Sequence, residues 1–395
     1  MNRIRNNKKL FIVALIAVVN ALGYGIIIPI LYSYSQRFGL TDFQNGMLFS
    51  VFSICQFIAA PFIGRFSDKY GRRPLLLISI FGTAVSFFIM GFAQNVFMLF
   101  FARALDGITA GNITVVSAII SDTTSEKNRA KGFGIIGASF GFGFVFGPAI
   151  SALTIGISDA LPFMIAGIVS LVAFFMTYII LPETNKHLGE IKKSKIFDFT
   201  KMFRALGDKN IGPTLLISFF YFLSFSMYIY TFQPFALKSL KMTVSQISIL
   251  FTVFGAIGIF AQGFFIPAVT KYLGLKKTYS TAIFLVSLAF VVMYFVTSMV
   301  QFFIISIIFS LSHSFVSPLT QTVLSKETDS KSQGSIFGLN SSYMSMGQMI
   351  GPILGGSLAT FAVHYPFLAG SFFVAISFIL SLKVLKPGVR KESAF

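Results

Sequence analysis

Gly64-Arg65-Phe66-Ser67-Asp68-Lys69-Tyr70-Gly71-Arg72-Arg73-Pro74 puts five charges into eleven residues, between two stretches that hold almost none. Upstream, residues 43–64 contain no Asp, Glu, Lys or Arg; downstream, 74–121 runs for 48 residues interrupted only by Arg103 and Asp106. A membrane-spanning helix needs about 20 mostly apolar residues, so this short charged segment is a loop joining two spans. Gly71 permits a tight turn and Pro74 suits the first turn of the next helix. Asp68 is an anion placed to hold a neighbouring helix N-terminus, while Arg72 and Arg73 mark the basic side of a membrane.

Working outward, residues 10–36, 210–237 and 242–270 are also free of charge and each is long enough for one span. Residues 278–325 and 332–382 are charge-free for 48 and 51 residues, so each holds two spans. The stretch 132–182, interrupted only by Asp159, is the 51-residue partner of the second of these. The total is twelve spans in two halves of identical layout, repeating at an offset of 200–204. Gly134…Gly143…Gly147-Pro148 lies over Gly338…Gly347…Gly351-Pro352 at 204. The expected division is 1–182, a linker 183–209, and 210–395. Such repeats are typical of secondary transporters, whose substrate site lies between the halves near mid-membrane.

The composition agrees. Of 395 residues 55% are hydrophobic and 11% charged, against about 25% charged in soluble chains. The net charge of +18 is no nucleic-acid footprint, because the basic residues punctuate apolar blocks instead of forming a soluble basic patch. With twelve spans, 27 of the 31 Lys and Arg fall on one side, which makes that side and both termini cytoplasmic. The first apolar segment is too long for a secretory signal and reads as a retained span in the cell membrane. A single cysteine, Cys55, rules out an intrachain disulfide and a cysteine-rich metal site. His187, His313 and His364 are too dispersed for a metal centre, and no phosphate-binding loop of the ATPase type occurs. No cofactor, no enzymatic activity and no nucleic-acid partner are expected. Small molecules, protons and membrane lipid are the expected partners, and one copy of the chain suffices for the fold.

The ordered Gly64-x3-Asp68-x2-Gly71-Arg72-Arg73 spacing resembles the signature loop of the major facilitator superfamily. The resemblance covers essentially the whole chain. Arg103 with Gly107 and Gly111 is similar to the family's arginine motif in the fourth span. Gly137-x3-Gly141-x-Gly143-x3-Gly147-Pro148 is similar to its fifth-span antiporter motif, and Leu181-Pro182-Glu183-Thr184 to the close of its sixth span. Asn20-x2-Gly23-x-Gly25-x3-Pro29 resembles the first span of twelve-helix drug:proton antiporters, including the tetracycline exporters. This implies an all-α integral membrane fold of two pseudo-symmetric six-helix bundles and proton-coupled efflux of lipophilic compounds by alternating access. Asn20 stands where tetracycline exporters carry Asp, and 74–102 and 278–298 hold no carboxylate, so metal–tetracycline is not the expected cargo.

Charges in mid-membrane are costly and point to function. Arg103 and Asp106 share a helix face with Ala110, Thr114 and Ser117, a stripe expected to face a central cavity. Asp106, the only carboxylate well inside a span, is the expected proton carrier, with Arg103 coupled to it and His313 as a second titratable candidate. Ser306, Ser310, His313, Ser317 and Gln321 form a polar stripe of their own, beside Pro318. Substrate contacts are expected from Asn20, Gln56, Asn112, Tyr228, Gln233 and Asn340, uncharged polar groups inside spans. Gating is expected at Gly64, Asp68, Gly71, Arg72 and Arg73 with Asp122, which is placed to pair with one of the arginines. Gly143, Gly147 and Pro148, with Gly351 and Pro352, permit close helix crossings, expected at the interface between halves. Phe197, Phe199, Met202 and Phe203 among the lysines of the linker suggest a short amphipathic helix on the inner surface. Fifty-one Phe and 13 Tyr would suit a cavity for bulky apolar ligands. The competing expectations are a metabolite or lipid transporter of the same fold, and a non-transporting sensor or membrane enzyme.

Overall fold

The computed structural model describes residues 2–123, 126–185, 199–328 and 332–385, and among these no strand occurs. In hydrocarbon every backbone N–H and C=O must be satisfied within the segment, which leaves the helix as the solution for a single span. Residues 186–198 of the linker, with His187 and Phe197, lie outside the described residues.

Each of the twelve apolar segments forms a helix or a helix interrupted once. The first half runs α1 (Asn2–Ile27) and α2 (Leu31–Gln36), α3 (Asp42–Tyr70), α4 (Arg72–Gly91), α5 (Val96–Ala110) and α6 (Ile113–Thr123), α7 (Glu126–Thr154) and α8 (Leu161–Ile180). A short α9 (Phe199–Leu206) precedes the second half. There follow α10 (Gly212–Lys238), α11 (Val244–Phe260), a π turn Ala261–Phe265 leading into α12 (Ile266–Leu273), α13 (Leu275–Tyr294), α14 (Met299–Glu327), α15 (Gln333–Ala359) and α16 (Tyr365–Ser381). The interruptions have local causes. Pro29, with no N–H to donate, stands between α1 and α2, and Pro267 follows the π turn.

Helix starts show the repeat more sharply than the apolar runs do. Thr41 and Gln44 cap α3 reciprocally: Thr41 N donates to Gln44 Oε1 at 2.9 Å and Gln44 N to Thr41 Oγ1 at 3.3 Å. Thr243 and Gln246 repeat that box before α11 at 2.8 and 3.2 Å. Asn95 caps α5 through the Met98 amide, and Ser298 caps α14 through that of Gln301. Gly71 (φ 105°, ψ 154°) and Gly274 (φ 78°, ψ 156°) open α4 and α13 in a backbone conformation that suits glycine. Pro162 and Pro366 sit in the first turns of α8 and α16.

The helices pack into two units. The first comprises Met1–Leu40, Val51–Phe197 and Thr243–Gly255; the second comprises Thr41–Ser50, Asp198–Met242 and Ala256–Phe395. The first turns of α3 thus belong to the second unit, and most of α11 to the first. In the first unit Ile12, Ile16, Leu76, Ile80, Ile119 and Ala173 form an apolar core from α1, α4, α6 and α8. In the second, Met202, Ala205, Leu215, Leu324, Ile336 and Tyr343 join α9, α10, α14 and α15.

Candidate functional site

In the first unit the polar residues meet where α5 gives way to α6. Asn112 N bonds Thr109 O and Thr114 N bonds Gly111 O, at 3.1 and 3.3 Å, a tightened turn that deprives the Ala110 carbonyl of the Thr114 amide. Gln56 of α3 donates Nε2 to that Ala110 carbonyl at 3.3 Å. Asn20 of α1 donates Nδ2 to Asn112 Oδ1 at 2.7 Å, with Asn112 fully buried. Three of the expected substrate contacts therefore converge on one break in one helix. A discontinuous span of this kind is where transporters build ligand sites.

On α5 before the break, Arg103 Nη1 lies 3.0 Å from Asp106 Oδ2, and the two residues are 2% and 7% exposed. The guanidinium stands 4.5 Å from the centre of the Phe52 ring, which in turn packs on Tyr24. The pair is neutral as a unit, and it faces α3: a Cβ on Gly107 would collide with the Phe52 carbonyl. The expected stripe down to Ser117 is not continuous, because Thr114 and Ser117 return their hydroxyls to Gly111 O and Ile113 O on their own helix.

At the loop from Gly64 to Pro74, the helix N-terminus is held by Glu183 and not by Asp68. Arg72 N and Arg73 N, at the start of α4, donate to Glu183 Oε1 and Oε2 at 2.9 and 3.1 Å. Thr184 N and Asn185 N add two more bonds to Oε1, each 2.8 Å. Asp68 instead pairs with Arg72 at 2.6 Å, one helical turn on. Arg72 also reaches Asp122 Oδ2 at 3.3 Å and Ser67 Oγ at 2.6 Å, while Arg73 donates to Tyr178 O at 2.7 Å. Arg72 is therefore the partner of Asp122. Gly64 is close only to Thr114 of α6, and Gly71 has no room for a Cβ beside the Glu183 carboxylate.

Burial raises the Glu183 carboxyl, but four backbone N–H donors outweigh it and hold the group below its ordinary value. A depressed carboxylate stabilises the fold fully above the unfolded value of about 4.3, and that contribution goes as pH falls through the lower folded value. Glu183→Gln is therefore expected to lower the thermal midpoint at neutral pH and to flatten its acid limb between pH 5 and 3. Calorimetry of both proteins across that range checks this; parallel curves would contradict it.

In the second unit His313 is held within an aromatic stack. Its Nδ1 is hydrogen-bonded to the Tyr221 hydroxyl at 2.6 Å, and its ring lies parallel to that of Phe225, centroids 4.0 Å apart. Tyr228, on the same helix α10, is buried among Phe309, Phe232 and Phe290 at 4.3 to 5.7 Å. Gln233 is fully buried further along α10. Asn340 ties α15 to α10, accepting from Ser218 Oγ at 2.5 Å and donating to Met344 Sδ at 3.3 Å. The polar residues of this unit are not gathered as those of the first are.

The glycine motif corrects another expectation. Gly143 and Gly147 face α1 within the same unit, not an interface between halves: a Cβ on Gly147 would lie 2.8 Å from Gly25 Cα. Ser151 Oγ donates to Ile26 O at 3.0 Å beside that crossing, and Pro148 Cδ borders Gly25. On its other side α7 receives Gly255 of α11 against the Phe144 backbone. The second unit repeats the arrangement, with Gly347 and Gly351 against Leu223 of α10, and Pro352 O and Gly356 against Gly46 of α3.

A family model described as Major Facilitator Superfamily matches residues 13–211 and 214–395. The chain belongs to that superfamily. Among relatives, Multidrug resistance protein 1 of Bacillus subtilis (strain 168) is 30% identical, over 94% of this chain and 95% of its own length. Tetracycline resistance protein, class H, of Pasteurella multocida is 27% identical over 91% of each chain. The solved structure of a bacterial homologue of the human lysosomal transporter Spinster, inward-facing and unoccupied, superposes with a TM-score of 0.77. It has 17% identity and covers 96% of this chain and 98% of the other. This major facilitator protein is thus an all-helical, multi-pass membrane transporter and not an enzyme. Within it, Glu183 holds the start of α4, a contact that the motifs did not assign. Its signal was its place in Leu181-Pro182-Glu183-Thr184, just beyond the last span of the first half.

Proposed function

We propose that this chain exports lipophilic, drug-like compounds in exchange for protons by alternating access of halves 1–182 and 210–395. The observation that carries the proposal is the buried Arg103–Asp106 pair in mid-helix, beside the amides that gather at the α5–α6 break. The resistance relatives give the cargo class. Asp106 takes the proton, Arg103 senses its charge, and His313 is the titratable group of the second half. Asn20, Gln56 and Asn112 contact substrate, with Tyr228, Gln233 and Asn340 in supporting positions. The Arg72 cluster with Asp68 and Asp122 gates the cytoplasmic side of the cell membrane, the side on which both termini lie.

The test is reconstitution under an imposed pH gradient, with proton movement recorded while lipophilic cations, neutral dyes, sugars and lipids are added in turn. Proton movement evoked by several unrelated lipophilic compounds is the expected result. A response to one sugar alone, or to lipid alone, would replace export of drugs with transport of that metabolite.

A further inference from the structure

The short helix α9 has two different sides. Met202 and Ala205 are buried in the core shared with Ile211, Leu215 and Leu339, and Tyr343 of α15 donates its hydroxyl to Met202 O at 2.9 Å. Eight residues do not hold a helix in isolation, so this docking is what forms it. The other side carries Phe203, 74% exposed, next to the exposed Arg204, with the exposed Lys209 just beyond the helix. Neither cation is in an ion pair among the described residues. The nearby carboxylates among the described residues, Asp208 and Glu327, are committed elsewhere. Asp208 accepts from Asn210 N and Ile211 N at 2.8 and 3.1 Å. Glu327 accepts from Thr214 Oγ1 and Leu385 N at 2.8 and 3.0 Å.

An exposed phenyl ring beside uncompensated cations, on a membrane protein, matches the boundary between acyl chains and phosphates. The ring enters the apolar layer while the guanidinium and ammonium meet anionic oxygens. We propose that the outer side of α9 is a binding surface for anionic phospholipid headgroups, with Phe203 as its apolar anchor and Arg204 and Lys209 as its phosphate contacts. Bound lipid then holds α9 on the ends of α10 and α15, through Met202 and Tyr343. The proposal rests on membrane residence alone and is independent of cargo and proton coupling.

The absence of tryptophan makes a direct test available, since Phe203→Trp is then the sole emitter of its kind in the chain. The full-length variant is reconstituted in phosphatidylcholine vesicles containing either brominated phosphatidylglycerol or brominated phosphatidylcholine at equal mole fraction. Stronger quenching by the brominated phosphatidylglycerol is expected. Adding Arg204→Gln and Lys209→Gln should remove that preference, at about fivefold in affinity per charge. Equal quenching by both lipids, none by either, or a preference that survives the two substitutions overturns the proposal. The tryptophan-free chain supplies an independent readout. Phosphatidylglycerol should raise its thermal midpoint and should not raise that of Arg204→Gln/Lys209→Gln; equal shifts would also overturn it.

Discussion

Asp106→Asn is expected to reduce proton-driven flux to background while the chain still inserts and folds. The substitution keeps an acceptor oxygen 3.0 Å from Arg103 Nη1 but removes the one negative charge that pairs with that guanidinium among the described residues. Breaking a buried pair from one side costs about 3–5 kcal/mol, because the surviving charge is left uncompensated. Here the Phe52 face, 4.5 Å from the guanidinium, recovers part of that, about 0.5–2 kcal/mol for a cation over an aromatic ring. A drop in stability alone would therefore also lower flux, and the double variant Arg103→Gln/Asp106→Asn separates the two causes. Removing both charges of a buried pair is often neutral or stabilising, so the double variant should recover the thermal midpoint and remain without proton coupling. Flux in Asp106→Asn vesicles equal to that of the unsubstituted protein would sink the assignment, and recovery of flux in the double variant would recast Asp106 as structural.

Gly147→Val is expected to have a large packing effect at the crossing of α1 and α7. A Cβ there falls 2.8 Å from Gly25 Cα and carbonyl carbon, backbone atoms that no rotamer change can move aside. Overpacking of a close-packed interior costs about 1–3 kcal/mol when side chains give way, and more when they cannot. Forcing α1 and α7 apart also stretches the Ser151–Ile26 bond of 3.0 Å, an interhelical contact worth about 0.6–2 kcal/mol. The variant should lose its cooperative thermal transition or its transport. Gly338→Ala is the counterpart. It belongs to the repeated glycine motif, yet nothing lies within 4 Å of its Cβ position, and alanine should stabilise that helix by about 1 kcal/mol. Thermal midpoints of the two variants should move in opposite directions.

These two glycines mark where sequence reasoning stops. Gly147 and Gly338 are both members of the motif repeated at an offset of 204, and small-residue spacing states only that a helix permits close approach. Which neighbour approaches is settled by the partner helix. The expectation of a crossing between halves failed for Gly147, whose partner is Gly25 of α1, while Pro352 does meet Gly46 of the other half. Asp68 failed similarly. Its charge and position suited a helix N-terminus, but the carboxylate that reaches the Arg72 and Arg73 amides is Glu183, 110 residues away from the nearer of them. The linker does form a short helix, Phe199–Leu206, but its apolar residues do not share one environment: Met202 is buried and the next residue, Phe203, is exposed.

The number of spans, their two-fold repetition and the family can all be read from the chain's residues alone. A bilayer demands about 20 mostly apolar residues per crossing, a requirement each segment meets alone. Cap residues such as Thr41 and Gln44, or Thr243 and Gln246, act within one turn and are equally local. Helix packing, by contrast, brings Asn20 to Asn112, gives Gln56 the carbonyl freed at Ala110, and sets Tyr221 against His313. Each of those bonds joins residues 54 to 92 positions apart. In a medium without water a polar group takes whichever partner packing brings to it, and no periodicity along one helix encodes what stands on the next.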